Sequence, residues 1–336
     1  MTLLRSRRPA GPAIAATGFS LIELMVALTI GLVMIAAAGI LFAKARDIYR
    51  TMEATARLQE NARYAMSVIE TDVRMANFWG LLSRTDLFSN TATSASPLAP
   101  SLSNNCGSTS AFVTDLEKHV EGLNNTYSLS CNAYGAGVQS GTDVLIIRRS
   151  SSNRLPQTAA GISAEKDSLL IESSRTQAQI FLATAAGTIP SAYAQADVAN
   201  EPPLADTRRL IVNAYYVSQD SSVGTGYPSL RRKTLIKGPA FQDEEVIPGV
   251  EDFQFQLGVD VNDDRNADVF VNAGSVPAGG IVVAVRVWLR IRAQERDVAH
   301  KDTQSWVYAD QNQSAFNDQY RRLVVMQTIQ LRNTRT

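Results

Sequence analysis

The chain has 336 residues, 45% of them hydrophobic and 19% charged, enough to bury one sizeable core with a helical appendage, or two small ones, and too apolar for a disordered chain. Lys plus Arg total 32 and Asp plus Glu total 32, while the first 18 residues hold Arg5, Arg7 and Arg8 and no acid. Without that stretch 29 bases face 32 acids, about −3, which excludes a general electrostatic attraction for nucleic acid.

Leu24 to Ala43, LMVALTIGLVMIAAAGILFA, contains no charged residue and is long enough to cross a hydrocarbon core of about 30 Å as a helix. Arg5, Arg7 and Arg8 precede it and Lys44, Arg46 and Asp47 follow, so the short N-terminal flank is expected on the cytoplasmic side and the rest of the chain outside. A cleaved secretory signal has an apolar stretch of roughly 7–15 residues with a small-residue cleavage site; this stretch is longer and flows into more helix. Glu23 stands at its edge, where an acid costs up to roughly 2.5–3.5 kcal/mol at the helix centre and less near the end.

Gly18-Phe19-Ser20-Leu21-Ile22-Glu23-Leu24 resembles the type IV prepilin signature. The resemblance implies cleavage after Gly18 by prepilin peptidase, methylation of Phe19 as the mature N-terminus, and pairing of Glu23 with a free terminal amine during filament assembly. Opposite charges attract far more strongly in a low-dielectric bundle than in water, which suits that role. Two features depart from the family pattern: the leader is long, and Ile40 stands where major pilins commonly carry a helix-bending proline.

No proline occurs between Pro12 and Pro97, and Ile48, Met52, Leu58, Ala62, Met66, Ile69, Val73 and Ala76 recur at helical spacing. The transmembrane helix is therefore expected to continue as an amphipathic stalk to about Trp79, on the order of 90 Å at ~1.5 Å per residue. LQENARYAMSVIETDVRMANFWG is similar to the end of this helix in PilW-like minor pilins. After Gly80 a Ser-, Thr-, Asn- and Pro-rich stretch marks the boundary to a head. The expected division is a leader at 1–18, a transmembrane helix at 19–43, a stalk at 44–80 and a β-rich periplasmic head at 81–336.

In the head, alternating or continuous apolar runs predict strands at 142–149, 168–173, 179–183 and 208–218, the last with Leu210, Val212, Ala214 and Tyr216 on one face. More are predicted in VEDFQFQLGV, ADVFVN, IVVAVRVWLRIR and RLVVMQTIQLRN; in the third, Val285, Val287, Leu289 and Ile291 alternate with Arg286, Trp288, Arg290 and Arg292. The fold class is α+β, a long helix on a half-buried antiparallel sheet. The order of the last runs is similar to PilW-like proteins, whereas 83–207 resembles nothing named.

Cys106 and Cys131, flanked by Ser, Asn and Gly, would close a loop of about 25 residues in an oxidising periplasm, worth on the order of 3 kcal/mol; the alternative is two unrelated thiols. Asp260, Asn262, Asp264, Asn266 and Asp268 alternate as the oxygen ligands of a calcium loop do, yet Arg265 stands where an EF-hand needs glycine and Val271 where it needs glutamate. A polar hairpin turn is the competing reading. His119 and His300 have no partner at metal-ligand spacing and are expected to be solvated. The pairs Arg148-Arg149, Arg231-Arg232 and Arg321-Arg322 flank predicted strands and read as solvated edge positions that discourage aggregation. No G-x-S-x-G, H-E-x-x-H or Walker A pattern occurs, and nothing points to catalysis.

The resemblance implies a minor pilin, a structural subunit that helps initiate or cap a type IV pilus. Its partners would be prepilin peptidase, other minor and major pilins and the inner-membrane assembly platform. It would sit first in the inner membrane with a periplasmic head, then in the pilus at the cell surface. The alternatives are a J-like pseudopilin of type II secretion and a membrane-tethered periplasmic binding domain.

Overall fold

The computed structural model describes residues 18–190 and 205–334. The expected leader, apart from Gly18, lies outside them. The chain divides into two units, 1–53 and 54–336.

Helix α1 (Leu21–Met75) spans 55 residues without a break. Within the first unit its side chains are almost all exposed, Ile48 and Met52 included. In the second unit Leu58, Ala62, Met66, Ile69 and Val73, at three- and four-residue spacing, are buried in the core. The apolar stripe expected from Ile48 onward is thus covered only from Leu58. Each fully buried Ile or Val contributes about 1.5–3 kcal/mol.

The helix stops four residues before Trp79. Asn77 takes φ +61, a left-handed position that Asn tolerates at a helix end. The Nδ2 of Asn333 reaches back to the carbonyls of Arg74 (3.4 Å) and Ala76 (3.2 Å), and Asn77 Nδ2 donates to the Asn333 carbonyl at 2.8 Å. Trp79, released from the helix, is fully buried in a different cluster, its Nε1 donating to Asn77 Oδ1 at 2.7 Å.

The strands are β1 (Phe88–Ser89), β2 (Val120–Leu123), β3 (Val144–Ser150), β4 (Leu169–Ser173), β5 (Ala178–Leu182), β6 (Asp206–Ser218) and β7 (Ser229–Ile236). They continue with β8 (Ala240–Pro248), β9 (Val250–Asp260), β10 (Val269–Asn272), β11 (Ile281–Arg292), β12 (Trp306–Tyr308), β13 (Gln311–Gln313) and β14 (Arg322–Gln330). Two short helices, α2 (Ala111–Thr114) and α3 (Ala159–Ser163), lie in the connections. One sheet runs β1-β5-β4-β6-β3-β2, with β7 also on β6 and β8 on β7; a second runs β10-β9-β11-β14; β12 and β13 form a hairpin. All pairings but β1 with β5 are antiparallel. The chain passes from β8 to β9 at Gly249, φ +91, where a Cβ would stand 2.5 Å from the Tyr227 hydroxyl and 2.9 Å from the Arg292 carbonyl. Only glycine fits both the angle and the approach.

Two large apolar clusters result. The first joins the buried face of α1 to Leu145, Ile147, Tyr215, Val217 and the inward residues of β9 and β11, among them Val285, Val287, Leu289 and Ile291. The second holds Leu210, Val212, Ala214 and Tyr216 against Trp79, Val113, Leu116 and both cysteines. Strand β6 is therefore buried on both faces, which corrects the expectation of a half-buried sheet. The irregular segment between α1 and β3 covers the side that was expected to be wet.

Candidate functional site

Gly18, Phe19 and Ser20 precede the first turn of α1, and Phe19 is 87% exposed. Ser20 holds the N-cap position: its carbonyl accepts from Leu24 N–H at 3.1 Å, and its own N–H donates to Glu23 Oε2 at 3.1 Å. A carboxylate three residues into a helix that reaches back to the cap N–H forms one half of a capping box, and it lies at the positive end of the helix dipole. Glu23 is thus held by its own chain, a partner that the assembly role implied by the resemblance did not include. The Ser20-x-x-Glu23 spacing was the available signal. From Leu24 to Ala43 every residue but Gly31 is exposed, and the helix is apolar and long enough to cross a membrane.

At the other end of α1, Asp72 is the buried acid of the helix. Its Oδ1 accepts from Arg149 Nε at 3.0 Å and Nη2 at 2.6 Å, and its Oδ2 accepts from Asn213 Nδ2 at 2.6 Å and from the Tyr215 hydroxyl. Burial, with the Asp72 carboxylate alongside, pushes the Tyr215 hydroxyl well above its usual range. Four hydrogen bonds to one carboxylate lock the helix to β3 and β6. The pattern gave no hint of this beyond an acid between Ile69 and Val73.

Arg149 is one of the arginines expected to be solvated, and that expectation is corrected throughout. Arg148 is buried and donates to the carbonyls of Phe112 (2.8 Å) and Lys118 (2.5 Å) and to Glu121 Oε1 (2.8 Å). Arg231 lies inside β7, buried, bonded to Asp243 (2.5 Å) and Glu245 (3.0 Å) on β8. Arg232 pairs with Glu244 at 2.8 Å, and Arg321 with Asp297 at 2.7 Å. Arg322 meets Glu251 (2.7 Å), Asp302 (2.9 Å) and Asp318 (2.7 Å). Buried charge requires such partners, and each arginine has them across a strand or loop. The histidines are half-buried rather than solvated. Burial lowers His119 to about 4, against the pull of the Glu117 carbonyl, 3.2 Å from its Nδ1.

Cys106 and Cys131 form a disulfide with Cα atoms 4.4 Å apart, inside the second cluster. It ties two loops over β6, and the Tyr127 hydroxyl donates to the Cys131 carbonyl at 2.8 Å beside it.

Asp260 ends β9, and Asn262, Asp264, Asn266 and Asp268 lie in the connection to β10. Asp260 Oδ1 accepts N–H from Asn262 (3.0 Å) and Asp263 (2.7 Å), and its Oδ2 from Arg265 (2.6 Å). Asn262 and Asp264 each accept from the N–H two residues on, at 3.0 and 2.8 Å, and Asp268 closes the loop by accepting from Val261 N–H (2.9 Å) and Asn262 Nδ2 (3.1 Å). Among the described residues no three His, Cys, Asp or Glu side chains are grouped to hold a metal ion. As placed, these side chains form a hydrogen-bonded polar turn.

Residues 214–333, from the middle of β6 past β14, match the family model described as Type IV Pilus-assembly protein W, and residues 15–39 match the Prokaryotic N-terminal methylation motif. No curated protein and no solved structure matches the chain. The two matches fall at the Gly18–Glu23 signature and in the C-terminal strands, and together with the long apolar helix α1 they support a PilW-like, type IV pilus-related pilin.

Proposed function

We propose that the chain is a minor pilin: prepilin peptidase cuts between Gly18 and Phe19, methylates the new Phe19 amine, and the mature subunit joins a filament through α1, where it helps initiate or cap assembly. The observation that carries this is the exposed Gly18–Phe19 bond just ahead of a helix whose apolar residues 24–43 no described part of the chain covers. Glu23 is the assembly residue. A neighbour's terminal amine 4 Å away would attract its carboxylate by about 1 kcal/mol in water and about 4 kcal/mol at an effective dielectric near 20, enough to set axial register. The capping bond from Ser20 keeps the acid satisfied in the subunit that has not yet joined.

The head serves as structure and contact surface. The inner-membrane assembly platform and the other pilins are the partners this reading requires. Mass spectrometry of the mature N-terminus tests the processing: N-methyl-Phe19 is expected, and an uncut chain would overturn it. Glu23→Ala is expected to leave membrane insertion intact and to lower the amount of the protein in sheared filaments at least about tenfold, the size of effect that 1.4 kcal/mol produces. Normal pili with impaired exoprotein secretion in a strain lacking the chain would move it to the pseudopilins.

A further inference from the structure

Strand β14 is an outer strand of the second sheet; its ladder partner among the described residues is β11 alone. Natural edge strands are guarded by charge, proline or bulges, because their free backbone groups otherwise recruit another strand. Leu323 to Gln330, LVVMQTIQ, has no charge, proline or glycine, and its register with β11 is continuous.

The direction of its free groups follows from one bond. Leu331 N–H donates to the Val283 carbonyl at 2.9 Å, and the same register pairs Ile329 with Val285, Gln327 with Val287 and Val325 with Leu289. Bonded and non-bonded pairs alternate along an antiparallel ladder. The odd-numbered residues therefore turn their N–H and C=O to β11, while Val324, Met326 and Thr328 turn theirs to the open edge. The odd side chains face α1: Leu323 and Val325, only half-buried, form with Ala62 and Met66 the apolar floor of a groove between strand and helix.

The charges along this groove are unequal. Glu70 is already held by Arg74 at 2.5 Å and by Gln327 Nε2 at 3.0 Å. Arg63, exposed on the groove wall, has no ion-pair partner among the described residues. An added strand would place alternate side chains over the apolar floor, and an acid on it would meet Arg63.

We propose that this edge docks an extended segment of another filament subunit, one that adds a strand to β14, is apolar at alternate positions and carries an acidic side chain opposite Arg63. The proposal rests on the minor-pilin reading only for the statement that the segment belongs to another subunit.

The test uses the full chain in its own cells, with a photoreactive benzophenone amino acid at Ser67, an exposed position lining the groove. Irradiation is expected to join the chain to an extended segment of a different subunit that contains Asp or Glu. Met326→Pro removes an outward N–H and leaves the β11 ladder intact, and it is expected to lower the yield about fivefold, the effect of one backbone hydrogen bond. If Met326→Pro does not fold, Arg63→Glu on the exposed helix surface decides, with the same expected loss. Adducts within the chain or to a second copy of it would overturn the proposal. So would an absence of adducts, or a yield that neither Met326→Pro nor Arg63→Glu lowers. The mature N-terminus, read in the same cultures, judges the minor-pilin reading separately: N-methyl-Phe19 without adducts overturns the docking alone, and an uncut chain that still forms the adduct overturns the pilin reading alone.

Discussion

The two apolar clusters are built by opposite means. The first takes its residues from regular elements, α1 and the inward positions of β9 and β11, so that helical and strand periods alone bring Ile69, Val287 and Leu289 together. The second lies on the opposite face of β6 and is closed by irregular chain around Trp79, Leu116, Cys106 and Cys131. Periodicity closes one core, whereas a covalent bond and side-chain hydrogen bonds to loop carbonyls close the other. The first should therefore depend on interactions between elements, and the second on its crosslink.

The largest effect should come from the carboxylate that joins the helix to the first cluster. Asp72→Ala leaves Arg149 and Tyr215 buried without their acceptor and is expected to cost about 3–5 kcal/mol in denaturant unfolding of the detergent-purified protein. A loss no larger than that of an exposed substitution such as Gln59→Ala would show that packing alone holds α1. Next, Cys106→Ser is expected to cost about 3 kcal/mol and, more pointedly, to raise hydrogen exchange in the loops around 102–138 while leaving residues 58–75 of α1 protected. Equal loss of protection in both would mean that the two clusters unfold as one.

A pH-dependent effect concerns the seam between them. Asp143 accepts N–H from Asn125 in the loops (2.8 Å) and from Phe255 in β9 (2.9 Å). Burial pushes its carboxyl up to about 7, against those two bonds and with help from the nearby Asp310 and Asp252 carboxylates. The folded chain then holds a proton that the unfolded chain has released above about pH 4, so this group's contribution to stability is full at low pH and falls as pH rises through 7. Asp143→Asn should flatten that part of the stability profile between pH 4 and 7. An unchanged slope would place the pH dependence elsewhere.

The same contrast explains what could be read from the sequence. Strands β9, β11 and β14 were legible because apolar residues alternate, and α1 because they recur every three or four. Strands β7 and β8, SLRRKTLI and AFQDEEVIP, were missed because their charges look like loop. Arg231, Arg232 and Lys233 neutralise Asp243, Glu244 and Glu245 only once the strands pair, and a single-strand pattern carries no record of its neighbour. The cysteines were legible as a pair because they are the only two in the chain; their place over β6 was not. Of the N-terminal site, the residues were legible and the Ser20–Glu23 bond was written in the spacing. The open edge of β14 was not, since which backbone groups are free depends on the register with β11.

One contact bears on how the molecule is made. Asn333 closes the last turn of α1, 256 and 257 positions after the residues it binds. Until that residue is in place, the helix end is frayed and the first core incomplete. Contacts of such long range slow folding, so the end of α1 is among the last parts of the fold to settle and is open to proteolysis in the interval.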